Sequence, residues 1–131
     1  MTSGTFDLLH DFHLRFLKQC RRQCDVLVVG VDSDLLVRER KGPKRPILTE
    51  FQREMMMNSI KYVEFVYILD SLADYTVVAE MLSVRRVFVN QTFAGREREV
   101  KVGSSGADVI IIPDLVEHDS TSGIIRRIKA L

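Results

Sequence analysis

The feature that most constrains the fold of this chain is a regular alternation of short apolar runs with segments of helical periodicity. The apolar runs are uninterrupted by polar residues, as expected for parallel strands that are covered on both faces of a sheet. They span residues 25–31, 65–69, 87–89 and 109–112. We therefore predict an α/β domain of the βαβ type with a parallel sheet.

Helical periodicity fills the intervals between these runs. In the first interval, apolar residues recur every three or four positions at Leu9, Phe12, Phe16 and Cys20. Thr49 is a suitable N-cap for the second helix, and Glu50 follows it in the first turn. The predicted helices span about 9–22, 49–62, 73–82 and 122–130, and Thr2-Ser3 is expected to be a very short first strand.

Length and charge limit the classes of function. A chain of 131 residues and formal net charge +1 is expected to form one domain, residues 1–131, with no broad basic face for nucleic acid. Such a balance still permits binding of a small anion through a few cations and backbone N–H groups.

The chain carries no signal for a membrane or for export. No apolar run approaches the roughly 20 residues of a membrane span, and the first residues lack the features of a secretory signal. Cys20 and Cys24 are four residues apart, without the C-x-x-C spacing of redox sites. We expect a cytoplasmic protein with reduced cysteines that serve as small apolar helix residues; a zinc site with His13 is the alternative.

Two histidines mark a candidate anion site. His10 and His13 follow the predicted first strand directly, at the start of a helix. Residues at positions i and i+3 share a helix face, so both imidazoles can address one ligand beside the free N–H groups of the first turn. Gly4 permits a tight turn ahead of them. No third residue at a suggestive spacing supports a metal site, and we predict no protein metal ligand.

A basic segment with glycine and proline, residues 38–46, is the sharpest change in composition along the chain. Its position after a strand and a short helix fits two interpretations. It is either a solvated linker or a cationic flap that closes over phosphates.

Several motifs in the same order resemble one known family. Residues 4–13, GTFDLLHDFH, are similar to the G-T-F-D-x-x-H-x-G-H signature of the cytidylyltransferase-like nucleotidyltransferases. Within that family the adenylyltransferase domain of ADP-heptose synthase is the nearest resemblance, and glycerol-3-phosphate cytidylyltransferase is the next. The further matching segments are 29–34, 41–47, 52–54, 60–63 and 112–122.

This resemblance implies a fold, an activity and a set of site residues. The fold is a Rossmann-like, doubly wound parallel sheet with its site at the carboxyl ends of the strands. The activity is transfer of AMP or CMP from ATP or CTP, with Mg²⁺, to a phosphorylated sugar or polyol, with release of pyrophosphate. The implied catalytic residues are His10, His13, Lys41 and Lys44, with Arg45 as a further candidate for charge neutralisation. The implied nucleotide-binding residues are Gly4, Thr5, Phe6, Asp7, Arg53, Lys61, Ser120, Thr121 and Ser122.

The chain also departs from the family pattern. Phe12 stands where the signature has glycine, and Lys61 stands where relatives often carry arginine. Asn90 and the next three residues stand where the family usually has a glycine and an acidic residue. His118-Asp119 replaces a glycine and an apolar or aromatic residue before Ser120. These departures keep a second interpretation open, a nucleotide- or phosphate-binding module of the same fold that has lost catalysis. A homodimer is a further expectation, because such domains often pair.

Overall fold

A computed structural model describes residues 1–98, 100, 106–114 and 120–131. Within these residues, five strands are interspersed with helices, two of which follow one another between the second and third strands. The strands are β1 (Thr2–Gly4), β2 (Val28–Asp32), β3 (Phe65–Leu69), β4 (Arg86–Asn90) and β5 (Asp108–Ile112). The helices are α1 (Asp11–Arg21), α2 (Asp34–Lys41), α3 (Glu50–Asn58), α4 (Leu72–Met81) and α5 (Thr121–Lys129), and a short 3₁₀ turn spans Gln91–Phe93.

The strands form a three-stranded and a two-stranded parallel sheet, which meet edge to edge so that the strand order reverses where they join. β2 pairs in parallel with β1 on one side and with β3 on the other, and β4 pairs in parallel with β5. β1 also lies beside β4, because the Phe88 N–H donates to the Met1 carbonyl at 2.9 Å and the Thr2 hydroxyl donates to the Phe88 carbonyl at 2.8 Å. The order is therefore β3-β2-β1-β4-β5. This is the predicted doubly wound arrangement, in which ligands bind at the carboxyl ends of the strands near the reversal between β1 and β4.

Helices cover both faces of the sheet. Leu17 of α1 and Met57 of α3 are fully buried in one core cluster. Leu36 of α2 and Tyr75 of α4 belong to a second cluster, which also contains Val28 of β2. All five residues of β2 are buried, which explains why its sequence shows no alternation of polar and apolar residues. The predicted α/β class and parallel sheet are confirmed.

Helix ends differ from the sequence-based boundaries by a few residues. α3 begins after Thr49, as predicted, with a capping box in which Thr49 and Gln52 bond each other's backbone N–H groups. It ends at Asn58 rather than near Tyr62, because Ser59 closes the last turn and the chain enters β3 through a turn. Among the described residues no helix has both the length and the apolar character needed to cross a membrane.

Candidate active site

The turn after β1 brings the chain from the centre of the sheet to the first helix. Phe6 and Leu8 both adopt the left-handed backbone conformation, with φ of 50° and 48°. A Cβ atom at Gly4 would lie 3.2 Å from the ring of Phe6, which folds back over it and is buried. The absence of a side chain at Gly4 therefore permits this tight return of the chain.

The structure places His10 and His13 side by side at the amino end of α1. His10 is the residue before the helix, and its backbone N–H donates to Nδ1 of His13 at 3.4 Å. The two ring centroids are 3.9 Å apart, with 28° between the ring planes. Because Nδ1 of His13 accepts this hydrogen bond, the proton of the neutral imidazole lies on Nε2. The edge of His13 away from the backbone is therefore a hydrogen-bond donor.

Phe12 lies between the two histidines in sequence and flanks both in space. Its ring centroid is 6.3 Å from each imidazole and 6.3 Å from the ring of Phe16, one helical turn further along. The ring is half-buried. The residue that replaces the glycine of the family signature thus extends the aromatic cluster at the start of α1.

A buried network joins the carboxyl ends of β1 and β2. The Thr5 hydroxyl donates to Oδ2 of Asp32 at 3.2 Å, and Arg40 of α2 pairs with the same carboxylate oxygen. Asp32 is the last residue of β2 and is almost fully buried. Thr5 is therefore held by its hydroxyl as well as by its position at the end of β1.

Arg53 differs from the expectation that it presents its charge to a nucleotide phosphate. Its side chain is fully buried, and its guanidinium is engaged by the protein. The four hydrogen bonds, of 2.6 to 2.9 Å, go to the carbonyls of Leu48, Thr5 and Asp32 and to a carboxylate oxygen of Asp34. Arg53 thus fixes the ends of β1 and β2 relative to α3. Four of the five guanidinium N–H donors are thus used within the protein, and the side chain is fully buried.

Asp7 likewise faces protein rather than a ligand. Its carboxylate is 1% exposed and accepts hydrogen bonds from the Arg45 side chain and from the backbone N–H groups of Ile47 and Leu48. The segment that follows the basic loop is therefore attached to the turn after β1.

The basic segment 38–46 combines the end of α2 with a loop. Arg40 and Arg45 pair with Asp32 and Asp7, whereas Lys41 and Lys44 are exposed. Although the Lys41 side chain reaches the surface, partial desolvation of its ammonium lowers its pKa, and the neighbouring charges of Arg45 and Arg40 lower it further. An ammonium in such surroundings gains stability when an anion binds beside it.

The last helix begins with three hydroxyl residues. Ser120 caps α5 by accepting from the Gly123 N–H at 3.0 Å, and the Thr121 hydroxyl donates to the Asp7 carbonyl at 2.8 Å. Ser122 is exposed in the first turn. The motif residues just before this helix, including His118 and Asp119, lie outside the described residues.

Lys61 is not brought to this site. The prediction that it lies on the same helix as Arg53 is wrong, because α3 ends at Asn58 and Lys61 is in the turn that leads into β3. It therefore lies at the amino end of that strand, whereas the histidines lie at the carboxyl ends of the strands. Its ammonium lies 5.3 Å from the ring centroid of Tyr62.

Comparison with known proteins identifies the family. Residues 1–128 match the cytidylyltransferase-like family. The chain belongs to the cytidylyltransferase-like family. It is 34% identical over 128 residues to the bifunctional protein HldE of Campylobacter jejuni subsp. doylei, covering 98% of this chain and 27% of that protein. It is 36% identical over 132 residues to the HldE protein of Syntrophotalea carbinolica, covering 97% of this chain and 26% of the relative.

A solved structure of similar fold supports the same assignment. The lipopolysaccharide core biosynthesis protein from Thermoplasma volcanium GSS1 superposes with a TM-score of 0.70 at 28% identity, over 91% of this chain and 96% of that one. The chain spans about a quarter of the length of the two HldE relatives.

Within this cytidylyltransferase-like domain, sequence reasoning missed three residues of the buried network. Asp32, Asp34 and Arg40 tie the carboxyl end of β2 to Thr5 and to Arg53. The signal that could have found the two carboxylates is their position directly after an apolar strand, where the carboxyl ends of parallel strands meet.

Proposed function

We propose that this chain transfers a nucleoside monophosphate from ATP or CTP to a phosphorylated sugar or polyol. The observation that carries the proposal is the pair of stacked imidazoles of His10 and His13 at the amino end of α1. They follow β1, the strand at which the order of the doubly wound sheet reverses. The positive end of the helix dipole favours phosphate at such a helix end.

In the proposed reaction, a phosphate oxygen of the acceptor attacks the α-phosphorus of the triphosphate. A new P–O bond forms as the bond from the α-phosphorus to the bridging oxygen breaks, and the electron pair leaves with pyrophosphate. Such a transfer needs positioning and charge stabilisation more than covalent chemistry from the protein. The Nε2–H of His13 is suited to donate to phosphate oxygens as their charge grows.

Cations of the basic loop complete the proposed phosphate site. Arg40 and Arg45 are already paired with carboxylates, so the charge available to a ligand comes from Lys41 and Lys44. The exposed hydroxyl of Ser122 and the first N–H groups of α5 are proposed to meet the nucleotide from the other side.

Mg²⁺ is proposed to arrive on the triphosphate as part of the substrate. Among the described residues, no group of three or more His, Cys, Asp or Glu side chains could hold a metal ion. The buried carboxylates of Asp7 and Asp32 are engaged by arginines. Phosphate oxygens and water are therefore the expected ligands, a common way of carrying this ion.

The names of the similar proteins support a sugar acceptor. The similar solved structure is named for lipopolysaccharide core biosynthesis, and the two curated relatives are named bifunctional protein HldE. We therefore place phosphorylated sugars first among the acceptors to be tested and phosphorylated polyols second.

One observation favours a second candidate function. The ring of Phe12 flanks both histidines at the position where the family signature has glycine. A ring in that space favours a module that binds nucleotide or phosphate without turning it over.

A thermal-shift panel tests both candidates. ATP, CTP, GTP and UTP are each titrated with Mg²⁺, because a ligand that binds only the native state raises the melting temperature further as its concentration increases. We expect ATP or CTP to stabilise the wild type and to release pyrophosphate when a sugar phosphate is added. Binding without pyrophosphate release across sugar and polyol phosphates supports the binding module, and no shift with any triphosphate contradicts both.

A further inference from the structure

The Asp7 carboxylate connects two parts of the candidate site, the turn after β1 and the segment 45–48, without facing it. Asp7 lies between the two residues of left-handed backbone conformation, Phe6 and Leu8, in the turn that leads from β1 to His10. Its side chain is 1% exposed. An acidic side chain at this depth requires several donors to compensate for its lost hydration.

Those donors all come from one segment. Oδ2 accepts from Nε of Arg45 at 3.1 Å and from the Ile47 N–H at 2.8 Å, and Oδ1 accepts from the Leu48 N–H at 3.0 Å. Both carboxylate oxygens are therefore used, and charge-assisted hydrogen bonds of this kind are the strong ones. Residues 45–48 are fixed to the turn after β1 by one side chain.

The attached segment directly follows the loop that carries the proposed phosphate-binding lysines. Gly42 has a φ of 90°, and a Cβ atom there would meet no atom within 4 Å, so the start of the loop is open to solvent. Lys44 is exposed and immediately precedes Arg45. The position of Lys44 is therefore set from its carboxyl side, where Asp7 holds the chain.

We propose that Asp7 is a positioning residue: its buried carboxylate fixes residues 45–48 and thereby places Lys44 opposite the histidine pair. The kinetic part of this proposal rests on the proposed function, whereas the attachment of the loop does not. The two parts are tested separately, so that the failure of one is distinguishable from the failure of the other.

Limited proteolysis tests the attachment. Trypsin is added to the native wild type, to Asp7→Asn and to Asp108→Asn, a matched change at the exposed start of β5. Cleavage of the Lys44–Arg45 bond is measured by mass spectrometry and normalised to cleavage at Lys129–Ala130. We expect the normalised rate to rise about tenfold in Asp7→Asn, the equivalent of about 1.4 kcal/mol for a lost anchoring interaction, and to stay at the wild-type value in Asp108→Asn.

A second variant protects this test against misfolding. If Asp7→Asn does not fold, Arg45→Gln removes one of the three hydrogen bonds from the less buried partner and is expected to raise the rate about threefold. Rates equal to the wild type in the folded variants overturn the proposal.

A double-mutant cycle separates positioning from a purely structural role. The affinity for inorganic tripolyphosphate is measured by calorimetry for Lys44→Ala in the wild-type background and in Asp7→Asn. We expect Lys44→Ala to weaken binding about tenfold in the wild type and less than about twofold in Asp7→Asn, since a misplaced lysine no longer contributes.

Each possible result of the double-mutant cycle contradicts a different part of the proposal. An equal loss in both backgrounds means that Asp7 supports the fold alone, and this overturns the positioning role. If the wild type binds neither tripolyphosphate nor any nucleoside triphosphate, the proposed function fails, and the proteolysis alone decides whether Asp7 anchors the loop.

Discussion

The Thr121 hydroxyl donates a hydrogen bond of 2.8 Å to the backbone carbonyl of Asp7, 114 residues earlier in the chain. Through this contact the first turn of α5 lies against the turn that leads into α1. Two helix amino ends therefore meet next to His10. Both present the positive end of a helix dipole, which favours the binding of an anion.

Replacement of His13 by alanine is expected to lower kcat/KM for pyrophosphate release by about a hundredfold, because a donor to the charge of the transition state is lost. His13→Gln keeps an N–H donor at similar reach and is expected to recover part of the activity. Rates are measured with the best triphosphate and acceptor from the panel. An unchanged rate in His13→Ala rules out this role for the imidazole.

Replacement of Phe12 by glycine is expected to tighten triphosphate binding while the protein still folds. The ring that flanks both histidines is removed, and space opens at the start of α1. Glycine inside the helix and the lost contact with Phe16 are expected to lower the unfolding free energy by about 1 kcal/mol or somewhat more. Calorimetry compares this variant with Phe12→Tyr, which keeps the ring; weaker binding in the glycine variant contradicts the prediction.

Replacement of Arg53 by methionine is expected to cost about 3–5 kcal/mol of unfolding free energy, because Asp34 and three backbone carbonyls lose a buried partner. Urea denaturation measures the change. The matched control is Arg15→Met, which removes an exposed ion pair with Asp11 and is expected to cost less than about 1 kcal/mol. Equal effects of the two substitutions refute the structural importance of Arg53.

The affinity for tripolyphosphate is expected to fall as the pH rises, starting below the usual titration range of lysine. Burial, with Arg45 and Arg40 nearby, lowers the pKa of Lys41, so its positive charge is lost at a lower pH than that of an exposed lysine. The charged form is the one that attracts phosphate. Lys41→Arg, which stays charged throughout, is expected to remove this part of the pH dependence in calorimetric titrations; an identical profile in both proteins contradicts the prediction.

A homodimer is expected to form through the edge of the sheet at β3. The strand order leaves β3 at this edge, where Phe65 is 63% exposed, and Met81 of the adjoining helix α4 is 77% exposed. Exposed apolar side chains beside an open strand edge favour pairing. Light scattering is expected to give about twice the 15.0 kDa of one chain.

Two substitutions test where the dimer forms. Phe65→Glu is expected to produce a monomer, whereas Ile128→Glu, on the exposed face of α5, is expected to leave the mass unchanged. If light scattering gives the mass of a single chain for the wild type at working concentration, the prediction of a homodimer is wrong.

Local patterns were sufficient for the elements that surround the site. The apolar run before Asp32 predicted a doubly covered strand, and the spacing of His10 and His13 predicted two imidazoles on one side of a helix start. Both properties depend on residues close in sequence, whose relative positions follow from strand or helix geometry.

Residue type and spacing were not sufficient to decide which charged groups face a ligand. Arg53 and Asp7 belong to motifs that the family places at its site, yet both are buried and bonded to protein. Lys61 was expected on the same helix as Arg53, but the helix ends three residues before it. The lysine lies at the amino end of β3, away from the carboxyl ends where the histidines lie. Their partners are distant in sequence, so no local pattern predicts them.

The sequence by itself thus determined the order of strands and helices, the covered parallel sheet and the histidine pair, because periodicity and short spacings encode these directly. Only the tertiary structure decided the roles of the charges, since a buried ion must find its donors or acceptors wherever the fold brings them. The Asp7 carboxylate meets Leu48 and the Asp7 carbonyl meets Thr121, contacts that span 41 and 114 residues. Packing of the sheet and its helices brings those groups together.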